Sequence, residues 1–521
     1  MDEEHKPIDN KEMKDNVEQS FINNEMEDSI SEADKIERQQ YTGNFATISE
    51  TAKAFNSFGH FDESMIQGVI YMTISRLLGP RVDINRDQLS WLFGSNSKIA
   101  PNLFMLLIGP PGYFSRSSII RNQRDWCKSI KTRYLEKFGS ELIANGEATT
   151  TIIGSSMEGV SDDLAGFDEV PDIPEQSDFE LSELDEEEKT KKKKTKRDHI
   201  HKYVHIDAGE CGQALKKLVN PNSYQYGLLD VLNDVFYGDE VKRTLRKTKV
   251  EIPGGQYVTF LGTIHLDELV NELLETGFLR RTVTIIKTEA DYAFTEMSLE
   301  QKKAWDSYYK VIEEDFIKHM INRAEQILNV SVKLTPKAEE YLNNLDNKIK
   351  SQRVETKDSN EYPSNNLELI VRLSILHAIY EGTLEQNTIF VSNFEIGEAL
   401  EFLTGLDKRY RSYTSRLISA DILRRVDLTQ SIVENYHKQQ KNKGVSGFQM
   451  FASVSTLYHR LPYMDSAKMK DLEVRAIEMG RIKGVELYRE GRKPKTILYP
   501  RYVDDKELIG MKLEGDRLIF K

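Results

Sequence analysis

Two cysteines, Cys127 and Cys211, are all that the 521 residues contain. They stand far apart, with no Cys or His at ligand spacing, which excludes a disulfide framework and a sequence-local zinc site and fits a reducing compartment. No run of 18 apolar residues occurs, so the sequence offers no spanning helix, and its acidic N-terminus has none of the layout of a signal peptide. A soluble, cytoplasmic protein without a membrane partner is the expectation. Positive charge is also in short supply. Lys+Arg number 71 against 84 Asp+Glu, and the net −13 excludes a uniformly basic nucleic-acid coat while leaving room for a local basic face.

What is present is polar but globular, with 39% apolar and 30% charged residues, at a length that suggests two to four domains. Residues 1–50 are rich in Asp, Glu, Lys, Asn and Ser and read as disordered. Residues 51–290 alternate strands and helices. The apolar runs Leu103–Ile108, Thr149–Ile153, Tyr203–Ile206, Tyr257–Gly262 and Thr282–Ile286 read as buried strands of an open, mainly parallel α/β sheet. A charged insert at 167–200, first acidic and then lysine-rich, buries too little apolar surface to fold alone. It reads as a mobile surface loop, or alternatively as a tail that touches DNA or a partner.

From 291 to 420 the pattern is helical. Ser298 with Gln301 forms a capping-box pattern, and Thr335-Pro336 supplies an N-cap followed by proline at the first helical position. Further helices are expected through "NNLELIVRLSILHAIYE" and from Asn393 to about Ile418. Residues 421–521 read as three helices, near 427–438, 447–459 and 466–480, followed by two strands around a basic turn. That is the order of a winged helix-turn-helix.

The stretch "GPPGYFSRSS" follows the first strand and opens a helix, the context in which a phosphate-binding loop G-x-x-x-x-G-K-[ST] works through backbone N–H groups, a lysine and a hydroxyl. Gly109, Pro110, Pro111 and Gly112 open it as expected. Phe114 then replaces the second glycine and Ser115 the lysine. Aligning the following helix instead puts Arg116 at the lysine position and Ser117 at the Mg²⁺ hydroxyl, with Ser118 beside it. Arginine pairs with phosphate, but through a rigid fork rather than a compact ammonium. Downstream, Asp207 ends the strand of "YVHIDAGE", where a carboxylate would hold Mg²⁺. Ala208 stands where an acid would polarise water, with Glu210 the nearest substitute. His265 ends the next strand, at the place of a γ-phosphate sensor. Arg280 and Arg281 precede the last strand, where a subunit could offer an arginine to its neighbour's nucleotide.

"PNLFMLLIGPPG", "YVHIDAGE", "GFLRR" and above all "NNLELIVRLSILHA" resemble the ATPase core and lid of minichromosome-maintenance (MCM) type AAA+ helicases, and of related plasmid- and virus-borne P-loop replication proteins. The likeness covers roughly residues 55–410, and the terminal winged helix extends it. It implies an α/β P-loop NTPase (AAA+-like) domain with a helical lid, ATP and Mg²⁺ as cofactors, and a ring of copies or an assembly with an active paralogue, driven along DNA. The chain departs from that pattern at the loop lysine and second glycine, at Ala208, at His265 in place of asparagine, and at Asn365-Asn366 where the lid would supply arginine.

Residues 421–503 carry 16 Lys+Arg against 9 Asp+Glu, opposite in sign to the whole chain. Arg489, Arg492, Lys493 and Lys495 cluster at the turn, and Lys468, Lys470 and Arg475 fall on the third helix. Duplex DNA held by helix and wing is one expectation, and a protein-binding winged helix is the other. Two functions therefore stay open: a replication ATPase with weakened hydrolysis, or a non-catalytic DNA-binding or scaffold protein on the same fold.

Overall fold

The computed structural model describes residues 47–57, 61–84, 89, 100–143, 146–152, 157–165, 167–168, 198–199, 202–220, 222–223, 225–245, 248–268, 273, 276–292, 298–356, 364, 366–461, 466–489, 492–512 and 517–520. The N-terminal segment to residue 46, most of the charged insert and Asn365 lie outside them. The chain divides into two compact units, Met1–Arg411 and Ser412–Lys521.

The first unit is built on five parallel strands: β1 (Phe104–Gly109), β2 (Ala148–Thr150), β3 (Tyr203–Glu210), β4 (Tyr257–His265) and β5 (Thr282–Ile286). Their order across the sheet is β5-β1-β4-β3-β2. Every residue of β1 and β5 is buried, and only His265 of β4 is not. These strands read as continuous apolar runs because helices cover both faces of the sheet. The fold is α/β with a parallel central sheet, as the alternation of runs predicts.

Helix α1 (Glu63–Leu77) is buried from Met65 to Leu77. Asp62 starts it, accepting from the Met65 N–H at 3.1 Å, and the same carboxylate meets Lys287 Nζ at 2.8 Å just beyond β5. Helix α2 (Arg116–Phe138) follows β1 and ends at Gly139, whose φ of 67° closes it in the left-handed conformation. Trp126 anchors α2: its ring lies 4.9 Å from Phe55 and 5.1 Å from Phe316, and Nε1 donates to Glu313 at 3.0 Å. Helix α3 (Leu299–Gln326), which carries Glu313 and Phe316, opens with the expected capping box. Gln301 N donates to Ser298 Oγ at 3.2 Å and Ser298 N to Gln301 Oε1 at 2.8 Å.

Helix α4 (Leu367–Glu381) is capped by Asn366 and buried from Leu369 to Tyr380. Within it Arg372 is fully buried. It donates to the carbonyls of Ala100 at 2.5 Å and Asn102 at 3.1 Å, pairs with Glu368 at 2.7 Å, and lies 4.0 Å from the Phe236 ring.

Two features depart from the helical reading of residues 291–420. Val330–Leu334 and Thr388–Val391 form a second sheet with Val82–Ile84 and Leu384–Glu385, in which Val82 pairs with Val330. The alternation of Val330–Leu334 is local, but its partners are remote in sequence. The helix expected to stop near Ile418 continues as α5, Asn393–Asn442, with its residues to Arg411 in the first unit and the rest in the second. No Gly or Pro occurs between Gly405 and Gly444, so nothing local breaks it.

In the second unit, a 3₁₀ turn (Gly447–Met450), a two-residue strand (Ala452–Ser453) and a helix (Val454–Arg460) replace the single helix expected at 447–459. Helix α6 (Ser466–Glu478) follows, then antiparallel strands Ile482–Tyr488 and Lys495–Pro500. A helix, Asp505–Met511, and an edge strand, Arg517–Phe520, complete a four-stranded antiparallel sheet with its helices. Val433, Leu457, Met469, Ala476 and Leu498 form its core.

Candidate functional site

Parallel register brings the C-terminal ends of three strands side by side. Gly109 of β1 pairs with His265 of β4, and Glu210 of β3 pairs with Thr263. The connection leaving β1 runs past β4 and β3 to β2, whereas the one leaving β4 returns across β1 to β5. In open parallel sheets ligands bind where neighbouring connections diverge in this way, beyond the strand ends. Here that crevice lies between β1 and β4.

The loop from Gly109 to Ser115 rims it. Gly112 has φ +80°, a left-handed conformation that glycine adopts freely, and a Cβ there would meet nothing within 4 Å. Backbone shape, not space, demands the glycine. Ser115 is also left-handed (φ 48°, ψ 32°), a strain of about 1–2 kcal/mol for a residue with a side chain. Its hydroxyl does not cap α2. Among the described residues no side chain accepts from the first-turn N–H groups of Arg116, Ser117 and Ser118. A 23-residue helix thus presents uncapped donors and the positive end of its dipole. Ser117 is exposed and Ser118 half-buried, while Phe114 is buried beneath the loop with its ring 5.7 Å from Tyr292.

Arg116 does not reach into the crevice. Only 7% exposed, it donates to the carbonyls of Ile264, of Pro110 (3.4 Å) and of Leu107 (3.5 Å), and to His265 Nδ1 at 3.1 Å. Burial pushes its pKa down, opposed by the charges of Glu210 and Glu268. The guanidinium therefore ties the ends of β1 and β4 together. Because arginine can only donate, Nδ1 of His265 must accept, which leaves Nε2–H to donate to the Glu210 carboxylate it touches. Arg116, His265 and Glu210 form one hydrogen-bonded row across the strand ends.

Asp207 lies lower on β3, ahead of a bulge at Ala208–Gly209 (Gly209 φ 49°) that shifts the register with β4. Both of its carboxylate oxygens are taken by Arg124 of α2, through Nε and through Nη2 at 2.7 Å. That pairing raises the Arg124 pKa, the hydrogen bond being the largest cause. Ala208 is fully buried, facing Gly262 of β4, so a glutamate at 208 would have to enter the core rather than the crevice.

Arg280 and Arg281 lie at the opposite, N-terminal end of the strands. They form a 3₁₀ turn that enters β5, whose first residue, Thr282, pairs with Phe104 at the start of β1. The length of β1 at about 3.3 Å per residue separates them from the loop by roughly 17 Å. Arg281 donates to the Gly277 carbonyl at 2.8 Å and lies 5.0 Å from the Tyr237 ring, and Arg280 is exposed. Within one chain the fold brings together Gly109–Ser118, Glu210 and His265, with Asp207 lower on the strand that carries Glu210, but not these two arginines.

In the second unit Arg492, Lys493 and Lys495 are exposed at the hairpin turn, and Arg489 is half-buried. Lys470 and Arg475 are exposed on α6, although Arg475 pairs with Asp471 at 2.7 Å and Val474 and Met479 are exposed nearby. The side chain of Lys468 lies outside the described residues.

The residue that sequence reasoning missed is Arg124. A signal existed: it follows Ser117 by seven positions, two helical turns, and so shares its face. The Mg²⁺ that the AAA+ resemblance implies would need oxygens from Ser117 and Asp207. Asp207 is engaged on both oxygens and Glu210 is engaged by His265. Among the described residues no group of three His, Cys, Asp or Glu side chains could hold a metal ion. As folded, this donor set does not fit a divalent cation.

No family model matches the chain, and no curated protein matches it.

Proposed function

We propose that the first unit is an AAA+-like P-loop domain that takes the phosphates of ATP on the loop Gly109–Ser118, and that the second unit is a winged helix that holds duplex DNA. Together they would act on DNA in replication. The observation that carries this reading is the convergence of a glycine loop, an uncapped helix start, His265 and Glu210 at the ends of adjacent parallel strands. The backbone N–H donors of the loop and of the helix start suit a phosphate group. Arg280 and Arg281, at the other end of the strands, would serve a neighbouring copy's nucleotide, which makes a ring or a mixed assembly the working form.

Hydrolysis is slow or absent in this proposal. Each missing group that would stabilise developing charge costs roughly 10²–10³ in rate, and the loop lysine and the acid at 208 are both missing. A second reading, a non-catalytic DNA-binding scaffold, is favoured by the Arg124–Asp207 pair and by buried Ala208. Nucleotide binding and turnover measured on one purified sample of the full chain separate the two. ATP binding with turnover far below the roughly 10 s⁻¹ of a typical enzyme supports the proposal. Turnover at that level, abolished by Asp207→Ala, overturns the slow-hydrolysis claim, and absence of binding leaves the scaffold.

A further inference from the structure

We infer that the phosphate site works without a divalent metal, the guanidinium of Arg124 standing where a cation would sit against Asp207. This rests on the nucleotide-binding reading above and adds the form of ligand that the site accepts. In P-loop sites Mg²⁺ is held between a loop hydroxyl and a carboxylate. A divalent cation on Asp207 would lie against a positive charge, since the fork of Arg124 meets both carboxylate oxygens in the bidentate geometry that suits a carboxylate. Arg124 is held in place by α2 itself, the helix whose first turn supplies the phosphate donors, so cation and anion site are one rigid piece. It also shares the Ser117 face of that helix. The next carboxylate along β3, Glu210, is occupied by His265. The positive charge that balances Asp207 is therefore covalently part of the chain, and the ligand it suits is a phosphate or nucleotide free of metal.

The test uses the full chain with ATP and ADP as probes, titrated calorimetrically in EDTA and again in Mg²⁺. Wild-type protein should bind equally in both. Arg124→Ala leaves the Asp207 carboxylate without its guanidinium and removes a charge-assisted interaction. Metal-free binding should then weaken by roughly tenfold or more, with Mg²⁺ restoring much of the loss. Arg124→Lys, which keeps the charge, should retain metal-independent binding. Arg124 is half-exposed but Asp207 largely buried, so Arg124→Lys, which keeps a cation against the carboxylate, is the variant that disturbs the fold least. Binding by wild type only in Mg²⁺ overturns this inference and leaves the nucleotide reading standing, whereas no binding in either buffer overturns both. A second measurement needs no nucleotide: Mn²⁺ titrated into the wild-type chain should find no site at Asp207. A Mn²⁺ site lost in Asp207→Asn overturns the inference directly.

Discussion

Replacing Arg116 with methionine distinguishes a strut from a phosphate ligand. Methionine keeps most of the apolar stem and removes the guanidinium. Two well-made bonds disappear, to the Ile264 carbonyl and to His265 Nδ1, along with two long ones to Leu107 and Pro110. Hydrogen bonds from a charged donor contribute about 1.5–3 kcal/mol each. Against that, the substitution relieves the burial of a cation that touches no carboxylate among the described residues, the burial that pushes its pKa down. The net expectation is a loss of about 2 kcal/mol from the first unit, with no ligand present. All three tryptophans, Trp91, Trp126 and Trp305, fall within Met1–Arg411, so urea unfolding followed by tryptophan fluorescence reports that unit alone. With a denaturant slope of about 4 kcal/mol/M for a unit of this size, the midpoint should fall by roughly 0.5 M. An unchanged midpoint combined with lost ATP affinity would refute this reasoning and return Arg116 to the phosphate.

Three further outcomes are expected. A methyl group on Gly262 would lie 2.6 Å from Cys211 Sγ and 3.3 Å from Ala208 Cβ, so Gly262→Ala should cost about 1–3 kcal/mol. Adding Cys211→Ala should recover most of that in the same urea assay. His205 is buried, bonded through Nδ1 to Thr259 at 2.9 Å, and its pKa is pushed well below the usual 6.5 by burial and by the charges of Arg76, Lys131 and Arg124. The unfolded chain alone then takes up this proton, so stability is full above about pH 7 and falls below about 6.5, by up to about 1.4 kcal/mol per pH unit. His205→Gln should flatten that fall relative to wild type in melts between pH 5 and 7.5, and parallel profiles would refute it. Residues 412–521 by themselves should bind duplex DNA with little sequence preference. With about four phosphate contacts, log K should fall against log salt at a slope of roughly −3.6, and Arg492→Glu with Lys493→Glu should flatten it by about 2. A folded but non-binding segment would turn that basic face towards a protein partner.

The parallel sheet was legible in the sequence because its strands are buried on both faces, and burial writes itself as uninterrupted apolar runs bounded by turn residues. Helix starts were legible for an equally local reason: Ser298 with Gln301 and Thr335 before Pro336 cap their helices through neighbours three residues away. The loop Gly109–Ser118 could be placed at a strand end and a helix start, and strand order with register then set it against His265 and Glu210. What the side chains do there was decided by the tertiary structure alone. Arg116 reads as a phosphate ligand from its position, yet in the folded chain it donates to the Ile264 carbonyl and His265 Nδ1 of β4 and, at longer range, to the Leu107 carbonyl of β1, which only the sheet brings together. Asp207 reads as a metal ligand, yet Arg124, 83 residues away, claims it once α2 lies along the sheet. The pairing of Val82 with Val330 was invisible for the same reason. Local sequence specifies which backbone a segment prefers, but a long polar side chain takes whichever partner the packing of remote segments delivers within hydrogen-bonding reach.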